Sequence, residues 1–267
     1  MYDDLFHQLS IWLVGIIVLI VLFVALELGY RVGLGRYKLW KGADSSSGQY
    51  ILTSMFALLG LILAFTYGAG VSRFDATKQA ITLEANAIRI AFFRANLVAK
   101  SESTAELKQA LLDYARTRII KQQERTTHKQ FQETIKKTLQ AQSELWLITE
   151  KIIKQSQPDS FVPPMLLEAV NQIFTIHTNR VTAGMDRLPS AVLLMLLFVA
   201  AASLSVAGFS AGVTGHLNRL RMTIFTLVLV GVLFVIFDFD QPHVGFIRVD
   251  QNNISLIINE MEADLAQ

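Results

Sequence analysis

Four long apolar runs, separated by polar segments, dominate the pattern of hydrophobic and polar positions along the chain. A helix needs about 20 apolar residues to cross a bilayer, so the runs predict transmembrane helices near residues 10–30, 50–72, 190–212 and 220–238. The long polar segment between the second and third runs shows helical rather than strand periodicity. The pattern therefore predicts an all-α membrane protein, with four transmembrane helices and a large helical domain inserted between the second and third.

The chain divides accordingly into four regions. Residues 1–72 hold the first two spans and a short basic loop, and residues 73–188 form the extramembrane helical domain. Residues 189–238 hold the third and fourth spans, and residues 239–267 form a C-terminal tail.

The second span and the sequence after it predict one continuous helix. No charged residue occurs from Tyr50 to Ser72, and the next residues become amphipathic without a proline. Lys78, Glu84 and Arg94 are assigned to the polar side of this helix. Glu84 and Arg94 are expected to be held in fixed polar contacts, because partly buried charges must be paired. Its apolar side carries residues at helical spacing: Ile81, Ala85, Ile88, Phe92 and Ala95. A second helix of the domain is expected to continue into the third span.

Further helices of the domain are indicated by start signals. Ser103 and Glu106 have the spacing of a capping box, which predicts a helix start there, and Pro164 suits a first helical turn. The predicted buried positions of the two helices are Leu107, Leu111 and Tyr114, and then Leu166, Val170, Ile173, His177 and Val181.

Two stretches carry a family resemblance. The segment LILAFTYGAGVSRFDATKQAITLEANAIRIAFFRANLV and the later DFDQPHVGFIRV resemble the signatures of the bacterial bestrophin-like family of unknown function. The polar residues of these motifs are Arg73, Asp75, Glu84, Asn86, Arg94, Asp238 and Asp240. The resemblance implies an oligomer, by analogy a pentamer, and an ion channel that conducts anions.

Small residues recur four apart in the spans. They are Gly60, Ala64 and Gly68 in the second span and Gly208 and Gly212 in the third. This spacing lets helices approach closely in lipid, either within a subunit or between subunits. The second span also carries hydroxyl and aromatic residues that are candidates to line a pore, although aromatic residues also contact lipid or protein: Thr53, Phe56, Thr66 and Tyr67.

Residues that carry catalytic chemistry are scarce. The chain has no cysteine, no phosphate loop and no H-E-x-x-H, and its five histidines are scattered. We therefore predict no enzymatic activity and no cofactor. Asp238 and Asp240 are weak candidates for a cation site, because two carboxylates do not complete a calcium shell; the alternative is a structural role at the membrane edge. Glu27 is either an ion ligand or the partner of Arg31.

Two classes of function remain open. One is an oligomeric ion channel with the second span lining the pore. The other is a non-conducting membrane scaffold or sensor whose helical domain binds a partner. In both, the lipid bilayer is a partner, and a net charge of +2 does not suggest nucleic acid binding.

The charged flanks predict an orientation. Asp3 and Asp4 stand where a signal peptide needs basic residues, so the first run is expected to be a retained anchor in the bacterial cytoplasmic membrane. The loops 31–50 and 213–222 carry Lys and Arg, and short basic loops stay in the cytoplasm. This rule places the helical domain outside the cytoplasm, whereas the resemblance implies the opposite side.

Overall fold

The computed structural model describes residues 11–37, 46–98, 101–119, 128–157, 160–215, 218–239 and 249–266, and within these ranges every regular element is a helix. The helices are α1 Ile11–Tyr37, α2 Ser46–Ala95, α3 Glu102–Thr117, α4 His128–Gln155, α5 Val162–Met185, α6 Ser190–Thr214, α7 Arg219–Phe239 and α8 Asn252–Leu265.

The four predicted spans lie on helices that are long and apolar enough to cross a membrane, namely α1, α2, α6 and α7. The expected continuation of the second span is also present, because α2 is one helix of 50 residues. The expected continuation into the third span is wrong: α5 ends at Met185 and α6 begins only at Ser190. Pro189 precedes α6, and a proline there lacks a backbone N–H and disfavours helical geometry in the residue before it.

The chain packs as two units, and α2 contributes residues to both. The first unit comprises Met1–Phe74 and Arg187–Ile247, and the second comprises Asp75–Asp186 and Arg248–Gln267. The core of the first unit is apolar and is built from residues of α1, α2, α6 and α7. Leu22, Leu196, Leu204 and Leu233 are fully buried there.

Helices α1 and α6 run parallel, and their backbones come into close contact at glycines. A β-carbon placed on Gly208 would lie 2.2 Å from the carbonyl oxygen of Leu26, and one on Gly212 would lie 2.4 Å from that of Tyr30. The same holds from the other side, since a β-carbon on Gly29 would lie 2.0 Å from the carbonyl oxygen of Ser205. The two glycines of the third span therefore act within one subunit, which is one of the two roles that their spacing allowed.

The second unit contains the predicted apolar side of α2, and all five of its residues from Ile81 to Ala95 are buried. The predicted start of α3 is two residues off. Ser101 is the N-cap, and its hydroxyl accepts a hydrogen bond from the backbone N–H of Thr104. Ser103 lies inside the helix and donates to Gln155 Oε1 at 3.2 Å. Only Ser103 has a glutamate three residues later, so the capping-box pattern selects it, but either serine can cap a helix and Ser101 does so here.

Helix α8 lies within residues 239–267, which the sequence analysis predicted to be a C-terminal tail. It buries Ile254, Ile257, Ile258 and Met261 in the second unit. Its outer side forms ion pairs with α2 and α3, which are Glu260 with Arg89 at 2.7 Å, Glu262 with Arg116 at 2.6 Å and Asp264 with Lys108 at 2.6 Å. Exposed pairs contribute little each, so the apolar side provides most of the attachment.

Candidate functional site

One side of the α2 span packs inside its own subunit, mainly through aromatic rings. Phe56 meets Phe225 edge-on with ring centroids 5.1 Å apart, and Tyr67 meets Phe239 at 5.7 Å. Leu59 is buried in the same unit. This side of the helix therefore contacts α7 through aromatic rings.

The other side of the same span is open and is lined by small residues. Thr53, Gly60, Ala64 and Gly68 are all exposed. They fall within about 80° around the helix at 3.6 residues per turn. A β-carbon on Gly60 or Gly68 would have no neighbour within 4 Å in the subunit. We call these four residues the small-residue stripe of α2.

The four pore-lining candidates do not share one side of α2. Thr53 belongs to the small-residue stripe, and its hydroxyl donates to the carbonyl of Gln49. Thr66 is buried, and its hydroxyl donates to the carbonyl of Ile62 at 2.8 Å. Phe56 and Tyr67 make the aromatic contacts described above, although 44% of Tyr67 remains exposed.

The second unit holds a buried cluster of charged side chains around Glu84. The carboxylate of Glu84 is completely buried and pairs with Arg180 through its Oε2 atom. Arg118 Nε lies 2.9 Å from Glu84 Oε1, an ion-pair contact that is not aligned as a hydrogen bond. His177 Nδ1 and the Tyr114 hydroxyl each lie 3.3 Å from Oε1. One carboxylate thus joins α2 to side chains of α3 and α5.

The charges of this cluster fix the protonation of Glu84. Burial alone would raise the pKa of Glu84, but the hydrogen bond from His177 and the charges of Arg118 and Arg180 outweigh it and lower the pKa from 4.5 to about 2. Burial raises the pKa of Tyr114, and the negative charge of Glu84 raises it further. Glu84 is therefore an ionised acceptor at neutral pH, and the neighbouring O–H and N–H groups donate to it.

Arg118 and Arg180 were missed by the sequence analysis. A usable signal existed for Arg180, which lies seven residues after Ile173 and three after His177 and so belongs to the apolar stripe of α5.

The fixed polar contacts expected for Glu84 and Arg94 are present, since Glu84 pairs with Arg180 and Arg94 binds the carbonyl of Met165. The assignment of Glu84 to the polar side of α2 is wrong, because its side chain is buried in the unit. His177 is held by Glu84, in agreement with its predicted place on a buried stripe.

The remaining motif residues are dispersed. Arg94 donates to the carbonyl of Met165 at 2.7 Å, whereas Asp75 and Asn86 are exposed. Arg73 is half-buried, and Asp238 is buried near the end of α7; Asp240 lies outside the described residues.

The metal-ligating side chains are dispersed in the part of the chain that the structure describes. Within the described ranges, no three metal-ligating side chains come together. Glu27 Oε1 lies 2.8 Å from Arg31 Nε, the second of its two predicted roles.

Comparisons with known proteins agree with this architecture. Residues 35–254 match the Bestrophin-like domain family. Two crystal structures of variants of a bacterial bestrophin homologue from Klebsiella pneumoniae have TM-scores of 0.67 and 0.66. They share 11% and 12% identity over 94% and 97% of this chain and 99% of their own. A third solved structure, described as a membrane protein, has a TM-score of 0.64, with 11% identity over 93% of this chain and 98% of its own.

No curated protein sequence matches the chain at a significant level. At 11–12% identity the solved structures show a common fold, whereas the domain match extends over most of the sequence. This membrane protein therefore belongs to the bestrophin-like family.

Proposed function

We propose that the protein is an oligomeric ion channel of the bacterial cytoplasmic membrane and that α2 lines its pore. One observation carries the proposal: the span on α2 is the least covered in the subunit. Only 11% of its most apolar stretch is buried, against 28% for the spans on α1 and α7 and 39% for the span that ends with α6. Its mean hydropathy, 1.9, is also the lowest of the four, since the others reach 2.5 to 3.0.

An uncovered span of low hydropathy fits a helix that meets other subunits or water rather than lipid alone. The small-residue stripe supports this, because small residues allow neighbouring helices to approach closely in a membrane. A ring of identical α2 helices would use Gly60, Ala64 and Gly68 of the stripe for such contacts, and would expose Thr53, two turns earlier in the helix, to a central path. The family resemblance suggests five subunits for the ring.

The class of ion is proposed from the resemblance, which favours anions. The uncharged character of α2 between Tyr50 and Ser72 is compatible with this, because no ring of carboxylates would repel anions in the span. Selection would then depend on the width of the path and on hydroxyl groups such as that of Thr53.

Cysteine variants of α2 test the pore directly, because the chain contains no cysteine of its own. Purified Thr53→Cys protein in planar bilayers is expected to conduct, and a charged methanethiosulfonate reagent is expected to change its current at least twofold. Thr66→Cys is the matched control, since Thr66 is buried, and its current should not change. The reversal potential in a KCl gradient reports whether anions or cations carry the current.

Two results would contradict the proposal. Silent bilayers from intact oligomer would reject the channel, and block of Thr66→Cys without block of Thr53→Cys would reject the assignment of the open side.

A scaffold or sensor is the second candidate, and one feature favours it. A groove of about 890 Å³ lies between α3 and α4, and Leu139 and Leu147 line it. These leucines are 53% and 64% exposed, which suits the binding of a partner segment. A protein that fails to conduct while its groove binds a partner would fit this candidate.

We also propose the topology predicted from the charge pattern, with the helical domain inserted between the second and third spans and held outside the cytoplasm. Arg31, Arg36, Arg219 and Arg221 flank the spans on the opposite side. Alkaline phosphatase fused after Gln267 is expected to be active, and a cytoplasm-only fluorescent reporter fused there should stay dark. A bright fluorescent fusion with inactive phosphatase would reverse the orientation.

A further inference from the structure

Outside its membrane span, α2 carries a second apolar stripe that its own subunit leaves open. Leu83 and Ile90 lie seven residues apart on α2, Leu97 follows at the same interval in the turn after the last helical residue, Ala95, and Phe93 lies between the last two. Their side chains are 46%, 42%, 61% and 39% exposed, in that order. The first apolar stripe, from Ile81 to Ala95, is buried in the second unit. Outside lipid, a helix with two apolar sides can bury one of them within its own subunit. The other side remains to be buried against another molecule.

The spacing of this second stripe is that of a coiled-coil seam. With Leu83 and Ile90 at position a of two successive heptads, Asn86 and Phe93 fall at position d. Apolar a and d positions are what two helices of similar sequence bury against each other, and a lone polar Asn in such a seam specifies register and oligomer state. Asn86 is exposed and belongs to the family-like motif.

The surroundings of the stripe favour a second copy of the chain over a charged partner. Arg89 forms two hydrogen bonds with Glu260, and Arg94 donates to the carbonyl of Met165. The guanidinium groups that border the stripe are therefore already bound within the subunit. The result is a seam without an ionisable side chain of its own, bordered by the Arg89 guanidinium, which lies 5.4 Å from the ring centre of Phe93. Such an apolar seam is complementary to an identical seam.

We propose that residues 83–95 of α2 form a coiled-coil contact between subunits and that Asn86 fixes its register. This contact rests on the proposed oligomer, and it assigns the partner of a surface outside the membrane span. The second stripe, defined as Leu83, Asn86, Ile90 and Phe93, would be covered by α2 of a neighbouring copy.

The mass of the purified full-length protein in detergent, measured by native mass spectrometry, tests the contact. Ile90→Glu is expected to lower the ratio of oligomer to monomer at least tenfold, because it places a charge in the seam. Leu147→Glu is the matched control: Leu147 is at least as exposed but lies on α4, and this variant should keep the wild-type mass. Asn86→Leu should remain oligomeric but show more than one subunit number.

A labelling experiment distinguishes loss of the subunit contact from misfolding of the Ile90→Glu variant. Ile90→Cys and Leu147→Cys are treated with a water-soluble maleimide in the wild-type background, which has no cysteine. Cys at position 90 is expected to react at least tenfold more slowly in the oligomer than in dissociated monomer, whereas Cys at position 147 should react equally fast in both.

Three results would overturn the contact. Rapid labelling at position 90 in the oligomer would place the stripe in water, and slow labelling in isolated monomer would assign it to detergent or lipid. Protection that exists in cell membranes but disappears in the purified oligomer would assign it to a different protein. Failure of the channel is separable from these outcomes: a silent bilayer with a protected position 90 rejects conduction alone, and a conducting protein with a reactive position 90 rejects the seam alone.

Discussion

Replacing Gly208 with alanine is expected to destabilise the protein by about 1–3 kcal/mol, although the change adds a single methyl group. The added β-carbon would lie 2.2 Å from the carbonyl oxygen of Leu26. Backbone atoms cannot rotate away as a side chain can, so α1 and α6 would have to move apart and lose contacts along their length. At a helical position without such a contact, replacing glycine with alanine stabilises the protein by about 0.5–1 kcal/mol. A loss of stability in Gly208→Ala would therefore indicate the close backbone contact.

Gly231→Ala is the matched control for this substitution. Gly231 lies in the α7 span, and a β-carbon there would have no neighbour within 4 Å in the subunit. Thermal unfolding of the two purified variants in the same detergent should show a lower Tm for Gly208→Ala and an unchanged or higher Tm for Gly231→Ala. If both glycines tolerate alanine equally, the close approach of α1 and α6 is not present in the folded protein.

The glycines illustrate what the sequence could and could not predict. Spacing of small residues every fourth position encodes the ability of a helix to approach another closely, and it predicted such helices in the second and third spans. It does not encode the identity of the partner helix. Gly208 and Gly212 contact α1 of the same subunit, whereas Gly60 and Gly68 have no neighbour there. The two sets look alike in sequence because their chemistry is alike.

Glu84 shows a different limit of sequence analysis. The periodicity that identified the buried side of α2 was right for every apolar residue from Ile81 to Ala95. Glu84 was expected to make a fixed polar contact, because burying a charge without partners is costly, but periodicity placed it on the polar side of the helix and named no partner. The partners that make burial possible are Arg118 and Arg180, which lie far along the chain on α3 and α5. Only the fold brings them together.

Helix α8 was missed for a related reason. Its apolar residues have helical spacing, but 14 residues after a polar segment resemble a tail unless the surface that receives them is known. Its burial against the second unit depends on elements more than a hundred residues earlier in the chain.

The second large effect is expected at Glu84. Glu84→Gln preserves the shape of the side chain but leaves Arg118 and Arg180 buried without their counter-charge. Removal of one partner from a buried ion pair costs about 3–5 kcal/mol, so the variant should unfold at a clearly lower temperature or fail to accumulate. This loss should precede any change in conductance, because the cluster acts through the packing of the second unit.

The pH dependence of stability gives an independent measure of the same carboxylate. Its pKa is lowered from 4.5 to about 2 in the folded protein. A depressed pKa means that the unfolded chain binds the proton more readily, so the contribution to stability is fully present above pH 4.5 and is lost as the pH falls towards 2. The shift corresponds to about 3 kcal/mol. Wild-type protein is therefore expected to lose stability more steeply than Glu84→Gln over this range.

Glu260→Gln is the control for the acid experiment, because Glu260 also forms an ion pair with an arginine but lies at the surface of α8. Exposed pairs are screened by solvent and contribute little, so this variant should follow the wild-type curve of free energy of unfolding against pH. The measurement is chemical denaturation of each variant at several pH values between 2 and 7. If Glu84→Gln and Glu260→Gln both retain the wild-type slope, the carboxylate of Glu84 is not held by the two arginines, and the cluster does not stabilise the unit.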